Sequence, residues 1–264
     1  MIAIIFIFGL IIGSFLNSVI YRLREGGNIV TERSHCPHCR QQLKWYELIP
    51  LFSFIIQLGY CRSCHRKIDW QYPLVELATA ILFSIAFFKI FNIPNFQLLT
   101  PSFQLFRDFF IISILVVIFV YDLRWQLIPD KLTLPAIGIV VFINFIVLST
   151  GNNLLANWLV NLLVAIVVGG GFFLLQFIVS KGRWIGGGDI RLGVLMGVIL
   201  GWPQVAWALM LAYILGALVA VGLILTGQKK WSAQIPFGTF LTVAAFITMY
   251  WSDQIVNWYV NLIL

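Results

Sequence analysis

The sequence predicts an all-α polytopic membrane protein of about eight transmembrane helices with one small polar domain. Of its 264 residues, 61% are hydrophobic and only 10% are charged, and the mean hydropathy is +0.96. Soluble domains carry about 25% charged residues, whereas a transmembrane helix needs about 20 mostly apolar residues. Eight apolar runs are candidates for spans: residues 2–20, 74–91, 109–121, 132–148, 158–179, 190–200, 205–225 and 237–260.

Two of these runs, 109–121 and 190–200, are short for a transmembrane helix. Each adjoins an aspartate, Asp122 after the first run and Asp189 just before the second. A helix that continued past its aspartate would regain the missing length. We therefore predict that both carboxylates lie where a helix meets the edge of the bilayer core.

The distribution of basic residues predicts the topology. Residues 22–70 contain eight of the 17 lysines and arginines, all three histidines and all four cysteines, so the positive-inside rule places this segment in the cytoplasm. Alternating spans return the other basic clusters to the same side: Arg124, Lys131, Lys181, Arg183, Arg191, Lys229 and Lys230. Both termini are then predicted to lie outside the cytoplasm, and both aspartates at its membrane face.

The positions of the basic residues argue against two other interpretations of the sequence. No basic residue precedes the first span, and Arg22 and Arg24 follow it, so this span is not expected to be a cleavable signal peptide. The net charge of +7 forms no continuous basic face, so nucleic acid is not expected as a partner.

The polar segment at residues 23–72 contains two C-x-x-C motifs, Cys36 with Cys39 and Cys61 with Cys64. Four thiolates at this spacing are typical of a tetrahedral zinc site, and a segment this small needs such a crosslink in place of a large core. Two disulfides or two redox pairs are the alternatives, and a cytoplasmic location argues against stable disulfides. Four sulfurs complete the shell, so His35, His38 and His65 are not expected to be ligands.

Asp122 and Asp189 are the candidate catalytic residues. A carboxylate at the edge of a bilayer core costs about 2–3 kcal/mol on insertion scales, which usually indicates a function. Two such groups at one face indicate acid–base chemistry. A proton-relaying transporter is the non-enzymatic alternative, but it predicts charged groups near the midplane and inverted repeats, neither of which the sequence shows.

Other polar groups near the spans have less specific interpretations. Asn17 is equally compatible with a hydrogen bond between helices and with contact to a substrate. Glu76 could pair with a basic residue or border an active site. Asp130 follows Pro129 and could cap the next helix, while Gly13, Ser14, Gly169, Gly170, Gly171 and Gly216 suit close helix packing.

These motifs together resemble the bacterial type IV prepilin peptidases, also called prepilin leader peptidase/N-methyltransferases. The resemblance follows nearly the whole chain: Gly-Ser-Phe-Leu-Asn at 13–17, the two C-x-x-C motifs, Tyr-Pro-Leu-Val-Glu-Leu at 72–77, Asp122 with Ile-Pro-Asp at 128–130, Gly-Gly-Gly-Asp at 186–189, and Ile-Pro-Phe-Gly-Thr at 235–239. The motif at 186–189 matches the G-x-G-D signature that the family shares with presenilin-like intramembrane proteases. Arg191 stands where the family usually has lysine, which keeps the charge.

The resemblance implies a function and a division of the chain. It implies an aspartyl endopeptidase of the bacterial inner membrane that cleaves the leader of prepilins or pseudopilins. Gly186, Gly187 and Gly188 would let the backbone approach the substrate strand. It also implies methylation of the new N-terminus with S-adenosylmethionine, with zinc as a structural metal. The expected parts are a first helix (1–22), a zinc-binding loop domain (23–72) and a membrane peptidase domain (73–264).

Two enzymatic interpretations remain open from the sequence alone. In the first, the protein both cleaves and methylates. In the second, it is a peptidase only, and the zinc domain is a structural lid. The sequence contains no Gly-rich Rossmann turn that would locate the methyl donor.

Overall fold

A computed structural model describes residues 1–28, 32–91, 99–149, 155–227 and 235–263. Within these ranges the fold is all-α, as predicted, with isolated β-bridges in place of strands. The α-helices are α1 (Ile2–Glu25), α2 (Phe52–Ile56), α3 (Gln71–Phe91), α4 (Leu99–Trp125), α5 (Asp130–Ser149), α6 (Leu155–Ser180), α7 (Gly187–Leu200), α8 (Gln204–Leu225) and α9 (Phe237–Ile263), and a 3-10 helix covers Trp45–Leu48. Lys229 and Lys230, two of the predicted cytoplasmic residues, lie outside the described ranges.

Five segments are long and apolar enough to cross a membrane: Ile2–Glu25, Gln71–Phe91, Phe103–Trp125, Leu155–Ser180 and Gln204–Leu225. They contain five of the eight predicted runs, and their length and apolar composition indicate a multi-pass membrane protein. The runs 132–148, 190–200 and 237–260 form α5, α7 and α9, and as spans they stay predictions. The last of these helices has a kink at Trp251.

The two short runs behave differently from each other. The run 109–121 lies inside α4, which continues past Asp122 to Trp125, so the predicted extension is confirmed. The run 190–200 lies inside α7, which begins at Gly187 and so includes Asp189. Even with this extension, α7 has only 14 residues. Such a helix is about 21 Å long, which is less than the thickness of a bilayer core.

The chain divides into two compact units, residues 1–117 and 118–264. In the first unit, α1 packs directly on α3 through glycines. A Cβ atom at Gly9 would lie 2.6 Å from Cα of Ala80, and one at Gly13 would lie 2.6 Å from Cα of Glu76. The predicted packing role of Gly13 is therefore confirmed, and a stacked ring pair, Phe83 and Phe109 at 4.1 Å, extends this core.

In the second unit, the small residues of α6 and α7 face each other. A Cβ atom at Gly197 would lie 2.8 Å from the carbonyl carbon of Ala165, and one at Gly193 would overlap the backbone of Gly169. Gly170 meets Val194, so packing is confirmed for Gly169 and Gly170, whereas Gly171 meets only Val167 of its own helix and Gly216 makes ordinary contacts with Phe240. The Asn144 amide of α5 donates to the Val198 carbonyl of α7 over 3.0 Å.

Candidate active site and metal centre

Asp122 is buried in the last turn of α4, with 5% of its surface exposed. Its Oδ2 atom accepts a hydrogen bond of 2.8 Å from the backbone N–H of Thr239, in the first turn of α9. The free N–H groups at a helix N-terminus attract negative charge. The fold thus gives this buried carboxylate a backbone hydrogen-bond partner at the start of another helix.

Asp189 lies in the first turn of α7, also at a helix N-terminus. Its Oδ2 atom accepts from the backbone N–H of Gly186 at 3.1 Å, and its own N–H donates to the Gly186 carbonyl. This arrangement is the acidic half of a capping box. It fixes the carboxylate relative to the glycine-rich turn that precedes it.

The two carboxylates belong to the same compact unit, and the glycines beside them, Gly188 and Gly238, both face the Ile128 side chain. Two interacting carboxyl groups do not both ionise readily, so the pair tends to hold one proton. A shared proton gives the site one acid and one base. This is the chemistry that cleavage of an amide by two aspartates requires.

Two glycines near the aspartates leave no room for a side chain. A Cβ atom at Gly238 would lie 2.9 Å from Oδ2 of Asp122, and one at Gly188 would lie 2.9 Å from Cβ of Ile128. Among the described residues, no heavy atom beyond those of its own helical turn lies within 4 Å of a Cβ built at Gly187. Of the three predicted glycines, Gly186 and Gly188 therefore have structural contacts, and Gly187 faces open space.

Asp130 is the first residue of α5, and its carboxylate forms an ion pair with Arg191 of α7. Its position in the first turn agrees with the predicted capping role. Arg191 stands where the family usually has lysine, and a lysine at this position could also pair with Asp130. Both side chains are more than two-fifths exposed, so the pair adds little to stability.

Asn17 and Glu76 belong to the first unit, whereas the two aspartates belong to the second. The Asn17 amide donates to the Tyr72 carbonyl at 3.0 Å and accepts from Gln71, which favours its structural interpretation. Glu76 Oε2 accepts the backbone N–H of Leu51 at 2.8 Å. Both residues therefore tie α1, α3 and the polar domain together.

The four cysteines are free and converge as predicted. Their Sγ atoms all lie within 4.8 Å of one another, and those of Cys36 and Cys64 are 4.0 Å apart. Tetrahedral zinc with bonds of about 2.3 Å requires sulfur separations of about 3.8 Å, so the cluster fits zinc after a small contraction. The spacing of the thiols also fits a metal better than two separate disulfides, since all four meet at one point.

Two similar turns present the thiols. The Arg40 N–H donates to the Cys36 carbonyl and the His65 N–H to the Cys61 carbonyl, both at 2.9 Å, and both donors have positive φ. Burial raises the pKa of the Cys36 thiol to about 11. At Cys61 burial also raises the pKa, but backbone N–H groups of Cys64 and Ser63 outweigh it and the pKa falls to about 7. A bound metal would displace the remaining thiol protons.

Sequence reasoning missed the hydrogen-bond donors that hold Asp122. The segment at 235–239 was singled out only by resemblance and carried no assigned role. The available signal was Pro236 followed by Gly238, because proline often precedes a helix and glycine allows close approach. Nothing in the local sequence links this helix start to an aspartate 117 residues earlier.

Comparison with known families finds two matching regions. Residues 7–90 match the "Bacterial Peptidase A24 N-terminal domain" and residues 109–221 match the "Type IV leader peptidase family". No solved structure matches the chain.

Curated relatives match the chain over nearly its full length. A protein of Bacillus subtilis is 33% identical over 264 residues, covering all of both chains. Proteins of Aeromonas salmonicida and Pseudomonas aeruginosa are 31% and 30% identical, covering 99% and 96% of this chain and 94% and 91% of their own. All three relatives are named prepilin leader peptidase/N-methyltransferase.

Proposed function

The chain belongs to the type IV leader peptidase family, and on that basis we propose that it cleaves the leader of type IV prepilins and related pseudopilins through Asp122 and Asp189. The residue assignment is supported by the position of both carboxylates in one compact unit, where each accepts a backbone N–H at a helix N-terminus. Membership of a peptidase family also argues against the alternative that the protein is a proton-relaying transporter.

In the proposed reaction, the ionised carboxylate draws a proton from a water molecule as the water oxygen attacks the scissile carbonyl carbon. The protonated carboxyl group donates its proton to the carbonyl oxygen. The tetrahedral intermediate then collapses and the C–N bond breaks. The leaving nitrogen takes the proton that the first carboxylate drew from water, and one hydroxyl group of the intermediate gives its proton back to the second carboxylate, which restores both groups. Gly187, which faces open space, is the proposed point where the substrate strand approaches the turn.

We propose that the four cysteines Cys36, Cys39, Cys61 and Cys64 hold one structural zinc ion. The ion would replace a hydrophobic core in the segment at 23–72 and supply no step of the cleavage. The division into a first helix (1–22), this zinc domain and a membrane peptidase domain (73–264) is part of the same proposal.

The second proposed activity is methylation of the amine that cleavage exposes, which the names of the relatives support. The methyl group would pass from the sulfonium of S-adenosylmethionine to the amine, which loses a proton. We assign no residue to the donor pocket. The alternative is a peptidase whose zinc domain is only a lid, and wild-type protein that cleaves without methylating would favour it.

The location that fits this function is the bacterial inner membrane. The basic residues at 22–70 support a cytoplasmic zinc domain and both termini outside the cytoplasm. Reactivity of residues introduced at the termini toward impermeant reagents in intact cells tests this orientation.

The test of the aspartate pair uses purified full-length variants in lipid nanodiscs, a prepilin substrate and mass spectrometry. Asp122→Asn and Asp189→Asn should each abolish cleavage while the protein still inserts, because asparagine neither accepts nor donates the catalytic proton. Substantial turnover by either variant would refute the assignment.

Asp130→Asn is the matched control, because it removes a carboxylate eight residues after Asp122 but breaks only an exposed ion pair with Arg191. Such pairs contribute about 0–1 kcal/mol, so cleavage should fall by less than about fivefold. Loss of cleavage in this variant equal to that in the other two would place Asp130 in the catalytic set.

A further inference from the structure

Residues 48–60 of the zinc domain form an uncharged apolar segment, here called the apolar arm. It contains α2, on which Phe52, Ile55 and Ile56 occupy one helical face and are each more than three-fifths exposed. Leu58 follows and is 82% exposed. This amount of exposed apolar surface in a few residues indicates contact with something other than water.

The arm is held at a defined depth along the transmembrane helices of its own unit. The Leu51 N–H donates to Glu76 of α3, and the Ser14 hydroxyl of α1 lies 3.5 Å from the Leu48 carbonyl. Glu76 lies two residues inside the apolar run 74–91, and Ser14 lies six residues inside the run 2–20. At 1.5 Å per residue, these contacts are about 3 Å and about 9 Å inside the apolar boundary.

Most backbone N–H groups of the arm have hydrogen-bond partners within the protein. The N–H groups of Phe52, Ser53, Ile55, Gln57, Leu58, Gly59 and Tyr60 all donate to carbonyls within the arm, and the Leu51 N–H donates to Glu76. Backbone inside a bilayer requires such partners, because lipid offers none. In water, the Leu51 N–H could bond to solvent, whereas here it donates to the buried Glu76 carboxylate.

The lipid-facing surface of the neighbouring helices continues at the same depth. Ile11 and Phe15 of α1 and Leu74 and Leu77 of α3 are exposed apolar side chains on either side of the contact residues. Trp45 and Trp70 flank the arm in sequence and are 77% and 67% exposed, and tryptophan is enriched at membrane interfaces.

We propose that the apolar arm inserts into the interfacial region of the bilayer, so that the zinc domain is anchored in the membrane by the Phe52–Ile55–Ile56 face. The occupant of this surface is phospholipid. The apolar face of an interfacial helix is buried about 5–10 Å into the boundary between headgroups and acyl chains. The Ser14 contact, at about 9 Å, lies within this range, and the Glu76 contact, at about 3 Å, lies just above it.

The test places a fluorescent noncanonical amino acid at Phe52 and, in a second protein, at Ile55, with full-length protein in nanodiscs. A label at Gln41, an exposed residue of the first cysteine turn, is the matched control. Quenching is measured with lipids that carry a nitroxide near the headgroup end of the acyl chain, and with iodide in the buffer. Equal zinc content in the three proteins checks that the domain is folded.

Labels at Phe52 and Ile55 should be quenched by the nitroxide lipids at least about threefold more than the label at Gln41, and should be shielded from iodide. Iodide quenching equal to that of the control would show that the arm lies in water and would overturn the proposal. Shielding from both quenchers would also overturn it, because protein rather than lipid would then cover the arm.

Discussion

At the level of single residues, Gly238 limits where the Asp122 carboxylate can lie. A Cβ atom there would approach Oδ2 and Cγ of Asp122 to 2.9 and 3.0 Å. Gly238→Ala should therefore displace the carboxylate and lower cleavage at least about tenfold, since a shift of about 1 Å in a catalytic group can cost a hundredfold. Cleavage of a prepilin by the purified variant, followed by mass spectrometry, measures the effect.

Gly216→Ala is the control for this substitution, because the added methyl group would meet Phe240 and Phe237 only at 3.5–3.6 Å. It should leave cleavage within about twofold of wild type. Full activity of Gly238→Ala with an unchanged fold would mean that the carboxylate does not need its observed position.

The four thiols give a second residue-level prediction. Purified protein should contain about one zinc per chain, and Cys36→Ser/Cys39→Ser should lose it, because two sulfurs cannot complete a tetrahedral site. Elemental analysis measures the metal, and limited proteolysis should show that the segment at 32–70 becomes cleavable first. Unchanged zinc content in the double variant would exclude this ligand set.

Residues with a chemical signature were predictable from sequence, and their partners were not. The cysteine spacing alone indicated the convergence of four sulfurs that the structure shows. Glu76 was left with two interpretations because its partner, the Leu51 N–H, is 25 residues away and is a backbone group with no sequence signature.

At the level of elements, α6 and α7 pack through glycines that leave no room for a side chain. Gly197→Ala would place a methyl group against the backbone of Ala165 and should cost about 1–3 kcal/mol, the usual range for overpacking. A lower midpoint of thermal unfolding in detergent should report this. Gly222→Ala should not lower the midpoint, because no described residue outside its own helix lies within 4 Å of the added atom and alanine favours a helix. Equal midpoints for both variants would contradict the close packing.

The elements also show where hydropathy succeeds and fails. Apolar runs located the α-helices well because lipid exposure and core burial both select apolar residues. They could not fix the length of α7, whose first turn is built from glycines and Asp189 rather than apolar residues. The arm was visible as an apolar stretch, but its depth depends on contacts with Ser14 and Glu76.

For the whole molecule, the cysteine cluster belongs to one compact unit and the aspartate pair to the other. Zinc-domain variants that stay folded should therefore reduce methylation more than cleavage, because a hydrated domain is the expected place for a soluble methyl donor. Aspartate variants should abolish cleavage but still methylate a pre-cleaved pilin. Labelled S-adenosylmethionine and mass spectrometry report the two reactions separately.

The decisive comparison uses pre-cleaved pilin as the substrate for a folded aspartate variant. Loss of methylation there would show that the two activities share the aspartates and would end their proposed separation. Thermal unfolding of the same preparation serves as the check on folding.

The hydrogen bond from the Thr239 N–H to Asp122 means that one carboxylate would serve both the proposed chemistry and the start of α9. Selection for folding therefore continues to act on position 122 even after selection for catalysis has ended. Inactive descendants of such an enzyme should retain asparagine, serine or threonine there, whose oxygen still accepts the N–H, and should rarely drift to alanine or leucine. A survey of paralogues that lack the second aspartate would reveal this bias, which would record an ancestry in proteolysis after the activity itself was lost.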